Sequence, residues 1–300
     1  MVYFVWLTVY GALAGAIYAL IALSFVVVFK ASRACNFAVG EWVMFGALLT
    51  ATGLHTLGMS ADGLLGILGA MLFAGIAMVV LAIAFAHFVL GRMAKRSLMT
   101  LIMVTLGLGA VMRGTGPVIF KGTPNAITLP IEVEYIDVLG LPLPPERLIS
   151  ALIAGLCIAI VSWFYQRTRT GLALRALAAN PLTALGVGID VNHHIAITWA
   201  LAALIAVVAG VLWTLVSGGG FGTALVGLKV FPIVIIGGLN SIPGCIVGAM
   251  VIGVSESLAS GYLDAVLGSG VSVVASSALL LGALWLRPQG LFGERFVARV

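Results

Sequence analysis

The start of the chain is a long apolar segment, and this segment most constrains what the chain can fold into. No Lys or Arg appears before Lys30, and Val2–Phe29 is almost entirely apolar. A cleavable signal peptide has a basic region ahead of its apolar core, and this segment has none. A helix needs about 20 apolar residues to cross the hydrocarbon core of a bilayer. We therefore expect a retained membrane span here.

Similar apolar segments fill the rest of the chain. The sequence is 62% hydrophobic and 8% charged, whereas a soluble domain has about 25% charged residues. Segments that reach or approach the length of a span are 3–29, 42–58, 63–90, 98–120, 148–165, 195–216, 228–239, 243–259 and 266–286. We expect an all-α, polytopic integral membrane protein with about eight or nine transmembrane or re-entrant helices. No composition shift divides residues 1–300, so we expect a single transmembrane domain.

One of these segments is too short to cross a membrane by itself. Residues 228–239 lie between the glycine-rich stretches "SGGGFGTALVG" and "GGLNSIPG". A short, glycine-flanked apolar segment is typical of a re-entrant or broken helix that lines a cavity. We expect that structure here.

Charge asymmetry predicts the orientation of the spans, because basic residues in short loops favour the cytoplasmic side. Three basic clusters belong inside: Arg92, Lys95 and Arg96; Arg167, Arg169 and Arg175; and Arg287, Arg295 and Arg299. The loop 121–147 belongs outside, because it carries four acidic residues: Glu132, Glu134, Asp137 and Glu146. This assignment places the N-terminus outside and residues 91–97 and 287–300 inside.

The stretch "RTRTGLALRALAANPLTALGVGID" is a polar island in this apolar chain. Leu174, Leu177 and Leu185 fall on one helical face. Asn180 is a favourable N-cap, and Pro181 suits a first helical position. We expect a compact pair of short helices between about residues 166 and 194. Two interpretations remain open for it: an amphipathic loop lying on anionic headgroups, and a docking surface for a partner.

Motifs for catalysis or metal binding are missing from the sequence. Cys35, Cys157 and Cys245 are far apart, without a CxxC pair. His193 and His194 are adjacent, so on a helix their side chains diverge. The sequence has no phosphate-binding G-x-x-x-x-G-K-[ST] segment and no Ser-His-Asp pattern. We expect no metal, no cofactor and no catalytic site in this chain, and no nucleic acid as a partner.

Four polar residues stand in or beside apolar segments: Asn36, Glu41, Lys229 and Glu256. Charge at membrane depth is costly and usually faces protein or water. These residues are our candidates for a pathway or gate. The alternative is that they pair with one another or lie at helix interfaces. Arg113 ends an apolar run, and we expect it to reach the outer surface.

Three stretches together resemble one family. "TGLALRALAANPLTALGVGID" resembles the cytoplasmic coupling loop of the permease subunits of branched-chain amino acid ABC importers, the LivH type. "NFAVGEWVMFGALL" resembles the segment that follows the first span in that family. "GLKVFPIVIIGGLNSIPGCIVGAMVIGVSES", followed by "LRPQGLFGE", resembles its C-terminal third.

The resemblance implies the permease fold of an ABC importer and a set of partners in the membrane. This chain would form the translocation pathway for branched-chain or related small amino acids. Two ATP-binding cassette ATPase subunits would consume ATP, a second, related permease subunit would pair with it, and an external solute-binding protein would deliver solute. The coupling loop to the ATPase would include Gly171, Leu174, Arg175, Leu177, Asn180, Pro181, Leu185 and Gly186. We expect the leucines of this loop to face the ATPase.

Other functions remain open at this point. Relatives in the same superfamily resemble importers of urea and short amides. A proton- or sodium-coupled secondary transporter would keep a coupling acid in mid-membrane, with Glu256 as the best candidate. A membrane enzyme acting on lipid would need acids, histidines or metal ligands at membrane depth, and no such constellation is evident.

Overall fold

A computed structural model describes residues 1–55, 63–93, 97–121, 127, 135–138, 141–268, 270–287 and 289–293. Almost all of this part of the chain is helical, because apolar backbone inside a bilayer must satisfy its own hydrogen bonds. The first helices are α1 (Val2–Ser32), α2 (Val39–His55), α3 (Leu64–Phe85), a π-helical turn (Ala86–Leu90), α4 (Gly91–Met93), α5 (Leu98–Ile119) and α6 (Pro145–Arg167). The remaining helices are α7 (Arg169–Ala179), α8 (Pro181–Gly186), α9 (Val191–Ser217), a 3-10 helix (Phe221–Leu225), α10 (Val226–Gly237), α11 (Ile242–Tyr262), α12 (Asp264–Leu267) and α13 (Val271–Leu286).

The helices confirm the predicted multi-pass architecture. Six apolar helices among the described residues are long enough to cross a membrane: Val2–Ser32, Leu65–Met93, Leu98–Ile119, Pro145–Arg167, Val191–Ser217 and Ile242–Tyr262. The other three predicted segments correspond to shorter helices, namely α2, α10 and α13. Nine apolar segments thus give six full spans and three shorter helices in the described chain.

The structure also contains a small β-hairpin, which the all-α prediction did not include. Strands β1 (Ile136–Val138) and β2 (Leu141–Leu143) pair antiparallel, with Ile136 opposite Leu143. They precede α6, in the loop that the sequence places outside. Glu132 and Glu134 of this loop, together with Lys95, Arg96, Arg295 and Arg299, lie outside the described residues. The sidedness of the chain therefore stays a prediction.

Helix α1 forms the centre of the bundle, together with α9 and α11. In its most apolar window 78% of the residues are buried, against 17% for α5 and 28% for α6. Helices α1 and α11 run antiparallel along their length: Gly11 lies against Gly253, and Cys245 contacts the carbonyl of Ala19. Small residues let the two backbones approach closely. The central helices are thus held by backbone proximity over several turns.

The outer helices present apolar stripes away from the bundle. On α3 the exposed residues recur every three or four positions: Leu65, Leu68, Leu72, Ile76, Val80 and Ile83. This spacing places them on one helical face. Such a face is compatible with lipid and needs no protein partner.

The chain between α1 and α2 is a non-helical break satisfied by side chains. Arg33 adopts a left-handed conformation, with φ of 54°. Buried Asn36 accepts a hydrogen bond from the Ala38 amide. The Thr105 hydroxyl on α5 accepts one from the Phe37 amide and donates one to the Cys35 carbonyl. The break is therefore tied to a neighbouring span, as non-helical backbone within a membrane protein requires.

The residues after α13 fold back over the end of α10. The Leu291 amide donates to the Ile236 carbonyl at 2.8 Å, and the Phe292 amide donates to the Gly237 carbonyl at 3.1 Å. The last carbonyls of a helix have no partner within that helix. Leu291 and Phe292 thus cap the end of α10, and the Phe292 side chain lies near Gly244 of α11.

Candidate functional site

A three-residue polar cluster lies inside the bundle, where α1, α10 and α11 meet. The ammonium nitrogen of Lys229 lies 2.7 Å from Oε2 of Glu256 and 2.7 Å from the hydroxyl oxygen of Tyr18. The Tyr18 hydroxyl donates to the same carboxylate oxygen at 2.9 Å. The structure therefore brings together two of the four predicted pathway or gate residues, and it adds Tyr18.

The aromatic ring of Tyr18 also stabilises the lysine. The Lys229 nitrogen lies 4.8 Å from the centre of this ring, and the ring stacks on Trp213. A cation over an aromatic face gains about 0.5–2 kcal/mol, more when desolvated. The charges of Lys229 and Glu256 thus offset each other, and the Lys229 ammonium group contacts both the carboxylate and the Tyr18 ring.

One atom of this cluster has no hydrogen-bond partner. Glu256 is 7% exposed, and its second carboxylate oxygen, Oε1, is buried without a donor in the structure. A buried acceptor without a donor costs about 1–3 kcal/mol, and more for a charged group. Oε1 of Glu256 is therefore a buried carboxylate oxygen for which a hydrogen-bond donor is expected.

A cavity of about 440 Å³ lies next to Glu256, between α1, α6, α11 and α13. Its polar lining includes Glu256, Tyr18, Arg147 and Ser257, and its apolar lining includes Trp6 and Leu7. The volume falls within the range of small-molecule sites, about 300–1,000 Å³. Here an apolar wall and a few charged groups share one small space.

Arg147, at the start of α6, brings a second positive charge to this cavity. Its guanidinium lies over the Tyr10 ring, 3.7 Å from the ring centre. Sequence analysis missed this residue, because it was grouped with a loop and not with a span. The signal available was its position directly before the apolar segment 148–165, where an arginine can turn inward.

Glu41 forms a separate ion pair between α2 and α5. The Arg113 guanidinium on α5 donates to its Oε1. Glu41 is 4% exposed, whereas 62% of the Arg113 side chain is exposed. Arg113 is thus largely exposed and also pairs with a buried carboxylate on α2, a partner that the sequence did not predict. Its position on the outer side stays a prediction.

The start of α2 and the start of α10 meet at two glycines. A Cβ added to Gly40 would lie 2.0 Å from the Ala224 carbonyl oxygen, and one added to Gly227 would lie 2.6 Å from the Cα of Gly40. No side chain fits between these backbones. The contact places the start of α2, at Gly40, beside the start of α10, while Lys229 of α10 bonds to Glu256 and Tyr18.

The polar island folds as two short helices, as the sequence predicts. Helix α7 ends at Ala179 and α8 begins at Pro181. The Asn180 side chain accepts a hydrogen bond from the Thr183 amide at 3.2 Å. Gly171 lets the start of α7 pack onto the end of α6, since a Cβ there would lie 2.4 Å from the Phe164 carbonyl oxygen.

The leucines of this island do not share one outward face. Leu174 and Leu177 are 0% and 1% exposed and belong to the core of this chain, whereas Leu185 is 53% exposed. The expectation that Leu174 and Leu177 face a partner is therefore wrong. An amphipathic helix buries its apolar face against its own bundle, and the break at Asn180 places Leu185 on a different helix. The exposed residues of the island, which are available to a partner, include Leu172, Arg175, Asn180, Leu185, Gly186 and Val187.

Cysteine and histidine side chains form no cluster in the part of the chain that the structure describes. Cys35, Cys157 and Cys245 are free thiols. The rings of His193 and His194 lie nearly perpendicular, with centres 5.6 Å apart. No group of three or more His, Cys, Asp or Glu side chains that could hold a metal ion occurs among the described residues.

Long apolar helices around a buried charged cluster, with a cavity beside it, define the class of the molecule: a multi-pass membrane protein with polar groups inside its helix bundle. The chain belongs to the family described as "Branched-chain amino acid transport system / permease component", whose model matches residues 7–286.

Individual relatives cover nearly the whole chain. It is 28% identical over 304 residues to the high-affinity branched-chain amino acid transport system permease protein BraD of Pseudomonas aeruginosa, covering 97% of this chain and 96% of BraD. It is 27% identical over 304 residues to the corresponding protein LivH of Escherichia coli K12, with the same coverage. A solved structure of PsaBC from Streptococcus pneumoniae, in complex with Fab, aligns over 94% of this chain and 92% of that chain, with a TM-score of 0.45 and 16% identity.

Proposed function

We propose that this permease forms the translocation pathway for branched-chain or closely related small amino acids in an ATP-driven importer of the cell inner membrane. The observation that carries the proposal is the match of the family over residues 7–286, together with relatives that align over 97% of the chain. The charged cluster and the adjacent cavity supply polar groups inside an otherwise apolar bundle, as a solute pathway requires.

The same proposal assigns the energy source to partner subunits. This chain has no phosphate-binding loop of the G-x-x-x-x-G-K-[ST] type, so two ATPase subunits would bind and hydrolyse ATP. An external solute-binding protein would deliver the amino acid, and a second, related permease subunit would complete the pathway. The chain itself would bind no cofactor.

The ATPase would dock on the α7–α8 loop. Its exposed surface combines apolar side chains, Leu172, Leu185 and Val187, with the exposed guanidinium of Arg175. The surface joins apolar side chains to an arginine, a residue enriched in protein interfaces, and it lacks the lysine- and arginine-rich polar face of a helix that lies on headgroups.

The ion-coupled alternative receives less support from the charged cluster. A coupling acid must take up and release its proton during transport. Glu256 is paired with Lys229 at 2.7 Å and accepts from Tyr18, so its charge is already compensated. The arrangement suits a fixed ion pair better than a proton carrier.

Uptake by intact cells tests the choice of solute. A strain without its own branched-chain amino acid importers would express this chain with its partner permease, ATPase subunits and binding protein. We expect uptake of labelled L-leucine, L-isoleucine or L-valine that disappears when this chain is omitted. Uptake of urea or acetamide, with none of these amino acids, would contradict the proposal and favour the urea and amide branch of the superfamily.

A further inference from the structure

We infer that the side of α5 that carries Arg113 faces the aqueous translocation pathway, and not lipid, in the assembled permease. This side, the Arg113 face, consists of the exposed residues Leu106, Ala110, Arg113 and Pro117, whose spacing places them on one helical face. The inference rests on the proposed function, because it names one wall of the route that the solute would follow.

The ion pair between Arg113 and Glu41 lies close to the middle of α5. This helix runs from Leu98 to Ile119 and is about as long as the hydrocarbon core of a bilayer is thick. A Cβ added to Gly109, at the midpoint of the helix, would lie 3.3 Å from the carboxyl carbon of Glu41. The Arg113 guanidinium, one turn further along, donates to that carboxylate. Both charges are therefore far from the headgroups at either end of the span.

Arg113 is the exposed member of this pair. Its side chain is 62% exposed, whereas that of Glu41 is 5% exposed. If lipid surrounded this side of α5, the guanidinium would contact acyl chains. Charged side chains within membrane spans almost always face the interior of a helix bundle or a water-filled cavity. Water inside the assembled permease is therefore the surrounding that suits the Arg113 face.

One narrow stripe of residues attaches α5 to the rest of the chain. Its buried positions are Thr105, Gly109, Met112 and Gly116, and the helix packs through them on α2 and on the 3-10 helix. In the most apolar window of α5, 17% of the residues are buried, the lowest fraction among the six long helices of the described chain. The Arg113 face lies beside this stripe and is left open, so it is available to line a pathway.

Two interruptions of regular helix lie beside α5, one on each side of the ion pair. In the break between α1 and α2, the Phe37 amide and the Cys35 carbonyl bond to the Thr105 hydroxyl. At the other end, a Cβ added to Gly116 would lie 3.3 Å from the ring of Phe221, where the 3-10 helix begins. Non-helical backbone at membrane depth is tolerated where it is buried in protein or lines a water-filled cavity. Both interruptions are thus consistent with water next to α5.

Helix α3 provides the contrast of a side that suits lipid. Leu72 and Ile76 lie near its middle, and its exposed residues are all apolar. The far side of α5 is similar, because the exposed residues Val111 and Val118 lie away from Arg113 around the helix. The charge on the Arg113 face distinguishes it from both of these surfaces.

Reaction of introduced cysteines with charged thiol reagents tests the inference without relying on transport. The three native cysteines would be replaced by alanine, and the assembled importer would be placed in lipid nanodiscs, where both membrane sides are accessible. The reagents would be trimethylammonioethyl methanethiosulfonate, which is positive, and sulfonatoethyl methanethiosulfonate, which is negative. We expect Leu106→Cys and Ala110→Cys to react at least about tenfold faster than Leu72→Cys and Val111→Cys, because charged reagents reach thiols in water and not in lipid.

Removing the charge of Glu41 tests whether the ion pair borders the same water. Glu41→Gln leaves the Arg113 guanidinium without its anion. The rate of Leu106→Cys with the negative reagent, relative to the positive one, should then rise about threefold or more. Glu146→Gln, which removes the same charge from the start of α6, is the matched control and should leave this ratio unchanged. If Glu41→Gln does not give an assembled complex, the four single cysteines still decide.

Three outcomes would overturn the inference. The first is an equal rate for Leu106→Cys and Leu72→Cys, and the second is a rate for Val111→Cys as high as that for Leu106→Cys. The third is an Ala110→Cys thiol that neither reagent reaches but that can be crosslinked to the second permease subunit, since protein would then cover this side.

The same measurements separate this inference from the proposed function. ATP-driven uptake of leucine by the parent, with Leu106→Cys and Ala110→Cys both unreactive, would reject the aqueous face and keep the function. Fast reaction of both cysteines in a complex that takes up no branched-chain amino acid would keep the aqueous face and reject the function.

Discussion

Lys229 and Glu256 form a partly buried ion pair, with 2.7 Å between Nζ and Oε2, that joins the short helix α10 to the central span α11. The side chain of Glu256 is 9% exposed and that of Lys229 is 30% exposed. Removing two charges from water costs several kcal/mol each, and a good geometry is needed to offset this cost. Tyr18 contributes to that geometry by bonding to both residues. The pair therefore fixes the position of α10, which is too short to be held in place by spanning the membrane.

Removing one charge of this pair should destabilise the permease more than removing both charges. Lys229→Met leaves a buried carboxylate without its cation, and we expect a loss of about 3 kcal/mol in the free energy of unfolding. The double variant Lys229→Met/Glu256→Leu removes both charges and should recover more than half of that loss. Melting temperatures in detergent measure the effect. Ser255→Ala is the control, since its hydroxyl bonds only to the Ile252 carbonyl of its own helix. A double variant that loses the sum of the two single effects would contradict this account.

The contact between Gly40 and Gly227 should tolerate no side chain. Gly40→Ala would place a methyl group 2.0 Å from the Ala224 carbonyl oxygen, and the backbone there cannot move aside as a side chain would. We expect destabilisation of about 1–3 kcal/mol, as for overpacked cores. Gly107→Ala on α5 is a matched control, because nothing lies within 4 Å of the added Cβ.

The melting temperature of Gly107→Ala should be unchanged or slightly raised, since alanine favours a helix over glycine by about 0.8–1 kcal/mol. Equal melting temperatures for Gly40→Ala and the parent would show that α2 and α10 do not meet closely at this point.

Leu185 and Leu177 should respond differently to the same substitution. Leu177 is buried in the chain, so Leu177→Asp should prevent folding and lower the yield of the permease itself. Leu185 is exposed, so Leu185→Asp should leave the yield and melting temperature unchanged. It should weaken co-purification of the ATPase about tenfold or more, since burying one leucine contributes about 1.5–3 kcal/mol.

The conservative change Leu185→Met should keep the ATPase bound, because it preserves an apolar side chain of similar size. Full ATPase recovery with Leu185→Asp would place the docking surface elsewhere on the chain.

The predicted orientation can be tested with single cysteines. In a chain without its native cysteines, Ser97→Cys should react only with a reagent applied from the cytoplasmic side, because it directly follows the basic residues Arg92, Lys95 and Arg96. Ser217→Cys lies at the far end of α9, the span that begins after the predicted cytoplasmic loop, so it should react only from outside. Labelling of Ser97→Cys from outside would reverse the assignment.

The sequence predicts the helices of this protein well because the signals for them are local. A run of apolar residues is sufficient to predict a helix in a bilayer, and all nine predicted segments correspond to helices. The division of α7 from α8 was equally predictable. Asn180 and Pro181 carry the N-cap and first-turn chemistry within two adjacent residues.

The buried pairings could not be predicted in the same way, because their partners are distant in sequence. Glu41 pairs with a residue 72 positions away, and Tyr18 bonds with one 238 positions away. The central helices are apolar on all sides, so hydrophobic periodicity does not indicate which face is buried. A different limit explains Leu174 and Leu177. Periodicity indicates that α7 has an apolar face, but it does not show whether a partner or the bundle of this chain covers that face.

The energy source is the most direct test of the central claim, that this chain is the translocation subunit of an ATP-driven importer. Proteoliposomes would contain the chain with its partner permease and ATPase subunits, and accumulation of labelled L-leucine would be measured. We expect accumulation only when ATP is present on the ATPase side and the binding protein is present on the other side. An imposed proton or sodium gradient without ATP should give none. Accumulation driven by such a gradient alone would contradict the account and identify an ion-coupled transporter.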